Sequence, residues 1–295
     1  MAHKRIALVG ADGSLGPVLV NALASSGKFT VTVLKRTSSN SQSKYPSSVH
    51  VTRISDSFPH DELVNALKGK DALVVSIRGL VDLQKRLADA ALEAGVKQFI
   101  PGDFGSCDSQ DERVRRVVSL YEKKTEIRNY AEELSARHDG FAYTSVVCGH
   151  FFDDMDLIHI DLKTRTLGIL DDGETRFSAS TRKQVGSALV KVLEKGVTDE
   201  TRNKTLYVQS FCVTQNQVRA ALERTTGQAW KVERFDSSKF LKEELDKGDD
   251  HVARENVVWV LGTRYANWEE KEGFAHQLLG LPQENLDEVV ARLCA

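Results

Sequence analysis

The first half of the chain alternates short apolar runs with longer segments in which apolar residues recur every three or four positions. The apolar runs are 5–10, 29–35, 49–55, 72–77, 98–104 and 141–148. The helix-patterned segments between them are 15–26, 60–69, 80–95 and 111–138. Strands that alternate with helices predict βαβ units and a parallel sheet. Because the apolar runs are nearly continuous, we expect strands covered on both faces in a mostly parallel, doubly wound α/β sheet.

The pattern changes after about Phe152. The segment 164–180 predicts two strands joined by a hairpin turn at Asp172 and Gly173. A helix at 181–195, a strand at 204–213 and a short strand from Val232 to Phe235 are predicted beyond it. We therefore predict a main domain at 1–153 and a smaller α+β lobe at 154–295, although elements such as 181–213 can return to the main domain. The Ser-rich segment 37–48 predicts a loop.

Composition and charge narrow the class of protein. The chain has 295 residues, of which 41% are hydrophobic and 28% charged, as in ordinary globular domains. Its net charge of −2 gives no basic surplus, so we expect no nucleic-acid partner. No apolar run is long enough for a membrane helix, and the first one ends in a glycine turn, so we expect no membrane partner and no signal peptide. The four cysteines are widely spaced, which favours a reduced, cytoplasmic chain without a metal site.

The strongest motif follows the first strand, where residues 10–16 form a G-x-x-G-x-x-G pattern before a predicted helix. Gly10 permits the tight turn, Gly13 lets the backbone approach a pyrophosphate, and Gly16 allows close packing of helix on strand. The helix N-terminus stabilises the anion. The motif predicts an NAD(P)-binding Rossmann fold, and the alternative is a glycine-rich turn that binds nothing. The predicted cofactor contacts in the turn are Gly10, Asp12, Gly13, Ser14, Leu15 and Gly16.

The end of the second strand indicates which dinucleotide is bound. NAD sites place an acid there for the ribose 2′-hydroxyl, whereas this chain has Lys35 and Arg36 followed by several hydroxyls. Cations and hydroxyls suit a 2′-phosphate, so we predict NADPH, and the alternative is a solvated basic pair. Asp56, at the end of the third strand, can contact the adenine or cap a turn. The predicted contacts outside the glycine turn are Lys35, Arg36, Ser38, Asp56, Ser76 and Ile77.

A candidate for proton chemistry lies in the helix-patterned segment 120–134. On a helical wheel Lys124 lies near the centre of the apolar stripe, and Lys123 lies roughly 75° from the stripe's mean direction. A buried lysine is costly unless it lines a cleft or meets a partner, and burial lowers its pKa. The alternative is a lysine that threads out between core residues. Tyr121, one turn earlier, can share the face or simply pack; no tyrosine has a lysine four positions later.

These residues together resemble the NmrA-like and isoflavone reductase-like group of atypical short-chain dehydrogenase/reductases. The matching pieces are 10–16, Arg36, 95–105, 121–133, Gly149, Phe151 with Phe152, the predicted hairpin, and Thr181 with Arg182. The resemblance implies that Lys124 is the catalytic group and that Arg128 matches the family's arginine. Branches that lack the lysine behave as dinucleotide-binding regulators. The family's P-S-E-F-G is P-G-D-F-G here, so its serine is lost and its glutamate is shortened to Asp103.

We therefore predict an NADPH-dependent reductase of a small aromatic or conjugated secondary metabolite, with Lys124 as proton donor. Whether a C=O, C=C or C=N bond is reduced stays open. A non-catalytic NADP(H)-binding redox sensor is the first alternative, and a lyase, isomerase or imine reductase on the same scaffold is the second. The predicted substrate-pocket residues are Asp103, Phe104, His150, Phe151 and Phe152, with ordinary core packing as the alternative for the aromatic ones. We expect the C-terminal lobe to bind the substrate, and the chain to be a monomer or homodimer.

Overall fold

The computed structural model describes residues 4–248 and 250–295. The strands are β1 (Lys4–Val9), β2 (Phe29–Arg36), β3 (His50–Ile54), β4 (Ala72–Val75), β5 (Gln98–Ile100), β6 (Ala142–Val147), β7 (His150–Phe151), β8 (Ile160–Asp161), β9 (Thr166–Leu170), β10 (Phe177–Ser180), β11 (Lys204–Tyr207), β12 (Phe211–Val213) and β13 (Lys231–Phe235). The α-helices are α1 (Gly16–Ser25), α2 (His60–Leu67), α3 (Val81–Glu93), α4 (Glu112–Arg115), α5 (Ser119–Arg137), α6 (Arg182–Lys195), α7 (Gln215–Thr226), α8 (Ser237–Asp246), α9 (His251–Tyr265), α10 (His276–Leu279) and α11 (Leu286–Cys294). Short 3-10 helices occupy Met155–Ile158 and Trp268–Glu270.

The described chain divides into two compact units. Unit 1 contains the described residues up to Phe104 together with Glu122–Val146 and Val185–Leu206. Unit 2 contains Gly105–Tyr121, Val147–Gln184 and Tyr207–Ala295. The chain therefore passes from one unit to the other several times. The simple division into 1–153 and 154–295 stays a prediction, and its first three residues lie outside the described part of the chain.

A seven-stranded sheet with the order β11-β6-β5-β4-β1-β2-β3 forms the centre of unit 1. All pairings from β3 across to β6 are parallel. Every residue of β4, β5 and β6 is buried, as expected for strands covered on both faces. The predicted doubly wound Rossmann-like fold is confirmed. Its strand order reverses between β1 and β4, and ligands of such sheets bind beyond the carboxyl ends of the strands at this point.

The predicted hairpin at 164–180 is wrong, although both strands exist. The turn forms, with Gly173 N donating to Leu170 O over 2.9 Å, but β9 and β10 belong to different three-stranded sheets of unit 2. Strand β9 pairs with β8 and β13, and β10 pairs with β7 and β12. Because both edges of each strand are occupied, the two cannot pair with each other. The predicted strand near Val232 is β13, which supplies one of those partners.

Two further predicted elements are each divided. The helix expected over 111–138 is interrupted between α4 and α5, where the adjacent β-branched Val117 and Val118 have low helix propensity. The strand expected over 204–213 becomes β11 and β12, with a break at 208–210. Buried Gln209 and Ser210 make polar contacts at this break: Ser178 donates to the Gln209 side chain over 2.7 Å, and Ser210 N donates to Ala179 O. These contacts replace a continuous ladder, and the chain enters unit 2 here.

Local signals explain both ends of helix α7. Thr214 forms a capping box with Gln217 at the start of α7, and Gly227, with φ of 64°, ends the same helix.

The Ser-rich segment 37–48 contains no helix or strand, as predicted. Within the described part of the chain, no helix combines the length and apolar character needed to cross a bilayer.

Candidate cofactor and proton-transfer site

The glycine turn between β1 and α1 is shaped by close backbone packing. Gly10 has φ of +91°, and a Cβ there would overlap Ser76 O at the end of β4. A Cβ on Gly16 would overlap Gly10 O. A Cβ on Gly13, in contrast, would lie 3.4 Å from Gly10 O, which the fold tolerates. Packing therefore requires glycine at 10 and 16, whereas the space beside Gly13 is open to a ligand.

A cavity of about 610 Å³ lies beside this turn within unit 1. Its volume is in the range of roughly 300–1,000 Å³ that is usual for small-molecule sites. The predicted cofactor residues that line it are Gly10, Asp12, Gly13, Lys35, Arg36, Asp56 and Ile77. The structure thus brings together residues at the carboxyl ends of β1, β2, β3 and β4, as the carboxyl-edge rule for parallel sheets requires.

The other predicted cofactor residues lie outside the lining of this cavity. Leu15 and Gly16 are buried at the start of α1, whose N-cap makes no side-chain hydrogen bond. Ser14 is exposed in the turn, and Ser76 N donates to Val9 O over 2.8 Å. Ser38 donates its backbone N–H to Asp56 Oδ1 over 3.0 Å, and the resulting hydrogen bonds lower the pKa of Asp56. Asp56 therefore caps a turn at the cavity edge.

Sequence reasoning missed several residues of the cavity. Phe58 and Leu80 line it, and each has a positive φ of 50° that no turn motif signalled. Arg86 lines it from α3 and donates to Ser57 O and Phe58 O over 2.7 and 3.2 Å. In the sequence Arg86 looks like any polar residue of an amphipathic helix, so only the fold identifies it.

Lys124 is buried on α5, as its place in the apolar stripe predicts, and only 7% of the residue is exposed. Its Nζ donates to the backbone oxygen of Asp103 over 2.8 Å. Lys123, the neighbouring lysine, is exposed. The helical wheel thus distinguished the two lysines correctly, and the buried ammonium is held by a main-chain carbonyl that follows β5.

The carboxylate of Asp103 forms a buried polar cluster with Arg128 and Ser145. Arg128 Nε donates to Asp103 Oδ2 over 2.9 Å, and Arg128 Nη2 and Ser145 Oγ donate to the same oxygen. Asp103 and Arg128 are 2% and 3% exposed, so this is a buried ion pair. Among the described residues, Asp103 Oδ1 has no hydrogen-bond partner. The side chain of Asp103 therefore takes part in a buried polar cluster in unit 1. This cluster fixes Asp103, whose main-chain carbonyl accepts the hydrogen bond from Lys124.

Tyr121 is a packing residue in unit 2. It is 2% exposed, in a cluster with Cys107, Val118 and Val257. Its hydroxyl contacts Ser106 Oγ over 2.6 Å and accepts from Cys107 N over 3.3 Å. Burial raises the pKa of this phenol well above its ordinary value, so the hydroxyl is a structural hydrogen-bonding group.

The remaining predicted pocket residues differ in exposure. Phe152 is fully buried and packs edge to face with Phe211, at 4.8 Å between ring centroids, in the core of unit 2. His150 is also buried, and burial lowers its pKa to about 4, partly opposed by a hydrogen bond with the backbone of Trp259. Phe104 and Phe151 are partly exposed. The burial of Phe152 fits the core-packing alternative, whereas Phe104 and Phe151 keep surface that a ligand can contact.

Comparison with known proteins identifies the family. The model of the NmrA-like family matches residues 2–263. An oxidoreductase of Aspergillus flavus, aprR, is 32% identical over 301 residues and covers 98% of both chains. The isoflavone reductase of Pisum sativum is 27% identical over 251 residues and covers 76% of both. The chain belongs to the NmrA-like family, as the sequence motifs indicated.

Solved structures share the fold over nearly the whole chain. A crystal structure of isoflavone reductase superimposes with a TM-score of 0.77 at 22% identity and covers 99% of both chains. AtPrR2 with NADP⁺ and (+)-pinoresinol gives a TM-score of 0.78 at 21% identity with the same coverage. At this level of identity the likeness concerns the fold.

Proposed function

We propose that this protein is an NADPH-dependent reductase of a small aromatic or conjugated metabolite and that Lys124 supplies the proton. The observation that carries the proposal is the buried Lys124 ammonium, whose Nζ is 2.8 Å from Asp103 O. A buried ammonium is costly, so its retention at the position of the family's lysine favours a chemical role over a structural one. The names of the relatives, oxidoreductase and isoflavone reductase, support the class of reaction.

The cavity beside the glycine turn fits a dinucleotide. Gly13 is the turn glycine that packing does not require, and close approach of a pyrophosphate explains it. The first turn of α1, without a side-chain cap, would stabilise the phosphates. Lys35 and Arg36 at the end of β2 would hold the 2′-phosphate. When bound, NADPH would supply a hydride from its nicotinamide ring.

Lys124 would act on the substrate atom that gains negative charge. An ammonium carries three N–H donors, and the contact with Asp103 O fixes the direction of one of them. The side chain would donate a proton directly or through water, or stabilise the developing charge. Arg128 and Ser145 hold Asp103, so these three residues would position Lys124.

The substrate class rests on relatives and on a partly exposed aromatic residue. A solved relative was determined with NADP⁺ and (+)-pinoresinol, and others are isoflavone and leucoanthocyanidin reductases. Phe104, which is partly exposed in unit 1, would offer an aromatic surface to such planar molecules.

The test compares two adjacent lysines. Lys124→Met is expected to lower kcat by about 10²–10⁴-fold, the usual contribution of a positioned proton donor. NADPH affinity, measured by calorimetry, should change little. Lys123→Met, one residue away and exposed, is the matched control and should keep wild-type turnover. Consumption of NADPH with isoflavones, lignans, enones and quinones provides the assay.

Three results would contradict the proposal. Near-normal turnover by Lys124→Met would remove the proton-donor role. Binding of NADPH without its oxidation by any substrate would favour a redox sensor. Product formation without net oxidation of NADPH would favour a lyase or isomerase on the same scaffold.

A further inference from the structure

Asp12 in the glycine turn is bound to groups from two other segments of unit 1. Its Oδ2 lies 3.1 Å from Lys35 Nζ, at the end of β2. Its Oδ1 accepts a hydrogen bond from the hydroxyl of Tyr45, in the Ser-rich segment 37–48. Ser39 Oγ makes a longer contact of 3.4 Å to Oδ2. One carboxylate thus joins the glycine turn, the end of β2 and the Ser-rich segment.

Lys35 is held at the centre of this arrangement. It is 8% exposed, and its Nζ also donates to Ser41 O over 3.2 Å. The same ammonium lies 5.6 Å from the centre of the Tyr45 ring, within range of a cation–π contact. We call Asp12, Lys35 and Tyr45 the Asp12 latch. Both Asp12 and Lys35 line the cavity, so the latch lies at the cofactor site itself.

The pKa values of Asp12 and Tyr45 reflect the hydrogen bond between them. Partial burial tends to raise the pKa of Asp12, but hydrogen bonds, led by the one from Tyr45, bring it down to about 2. Burial and the bond to Asp12 raise the pKa of Tyr45. Near neutral pH, therefore, Asp12 is an anion and Tyr45 remains its donor.

We propose that Asp12 is a specificity-determining residue, because the 2′-phosphate of the cofactor must displace the Asp12 carboxylate from Lys35. This inference rests on the proposed use of NADPH. A phosphate monoester carries about −1.5 to −2 charges on three acceptor oxygens and is a stronger partner for Lys35 than a carboxylate. A dinucleotide that has only the 2′-hydroxyl cannot make this exchange and leaves the latch closed.

Arg36 is the cation that would attract the phosphate first. It is exposed at the cavity, and its positive charge acts on the carboxylate of Asp56, which lines the same cavity. Lys35 would then exchange Asp12 for phosphate, and Tyr45 would lose its acceptor. The wild-type latch thus weakens NADPH binding more than NADH binding, because only NADPH has to break it.

The test measures the affinities of NADPH and NADH by calorimetry, without any substrate. Asp12→Asn keeps the shape of the side chain and removes its charge, and should raise NADPH affinity about tenfold, as expected for loss of one competing charged hydrogen bond. NADH affinity should rise less than about threefold. Tyr45→Phe should give a smaller rise for NADPH. Tyr130→Phe removes the bond from Tyr130 to Asp89 elsewhere in unit 1 and is the matched control, with no effect.

A double variant isolates the exchange at Lys35. Lys35→Met should lower NADPH affinity, and Asp12→Asn in that background should no longer change the ratio of NADPH to NADH affinity. An unchanged ratio in Asp12→Asn alone would overturn the inference while leaving the proposed function intact. A selective loss of NADH affinity would overturn it too, because Asp12 would then bind the ribose hydroxyls. Wild-type protein that binds neither dinucleotide would instead refute the proposed function, on which the inference depends.

Discussion

In unit 2, the absence of a side chain at Gly262 leaves space for the imidazole ring of His150. A Cβ on Gly262, in helix α9, would overlap Nε2 of the His150 ring. Glycine inside a helix is usually about 1 kcal/mol less stable than alanine, so its presence in α9 needs a reason. The reason is space for the imidazole, whose Nε2 has no hydrogen-bond partner among the described residues.

Gly262→Ala is therefore expected to destabilise the protein, against the helix-propensity trend. The free energy of unfolding should fall by about 1–3 kcal/mol, the usual cost of overpacking a filled interior. Urea denaturation measures it. In a His150→Ala background the same substitution should become neutral or stabilising, because the ring is gone. Stabilisation by Gly262→Ala with His150 present would show that the ring does not need this space.

At the scale of elements, two cationic side chains of helix α5 bind the segment that follows β5. Lys124 and Arg128 are one turn apart on α5, and both donate to Asp103, the first to its main chain and the second to its side chain. A buried ion pair adds little net stability, but removal of one partner leaves the other charge uncompensated. The pair therefore determines where α5 sits on the sheet of unit 1, more than how stable the sheet is.

Arg128→Met should lower the free energy of unfolding by about 3–5 kcal/mol, because Asp103 would stay buried without its counter-ion. Asp103→Asn added to Arg128→Met should restore part of the loss, since the unpaired carboxylate is gone. Arg137→Met breaks the exposed Arg137–Glu133 pair on the same helix and should change stability by less than about 0.5 kcal/mol. Equal losses in the two arginine variants would contradict a special role for the buried pair.

The limits of sequence prediction follow from how far apart the interacting residues are. The apolar runs predicted the central sheet, and the helical stripe predicted the burial of Lys124, because both patterns are local. The hairpin at 164–180 failed because β8, β13, β7 and β12 take the edges of its strands. The Asp12 latch was not predicted because Tyr45 lies 33 residues from Asp12, in a segment whose sequence indicates only a loop.

For the whole molecule, loss of stability between pH of about 6.5 and 4 should come mainly from unit 2. Burial lowers the pKa values of His150, His159 and His276, and all three lie in this unit. In the unfolded chain each would titrate near its ordinary value of about 6.5. As pH falls below that value, the unfolded chain binds protons that the folded unit excludes, so stability falls with pH.

His150 gives the largest defined part of this effect, because its folded pKa is about 4. Between pH of about 6.5 and 4 it should remove roughly 3 kcal/mol of unfolding free energy. Urea denaturation across this range should show a shallower decline for His150→Gln than for the wild type, whatever the two stabilities are at neutral pH. His138→Gln, at an exposed position on unit 1, should keep the wild-type slope. Parallel pH profiles for wild type and His150→Gln would contradict this prediction, because they would mean that His150 is protonated as readily in the folded protein as in the unfolded chain.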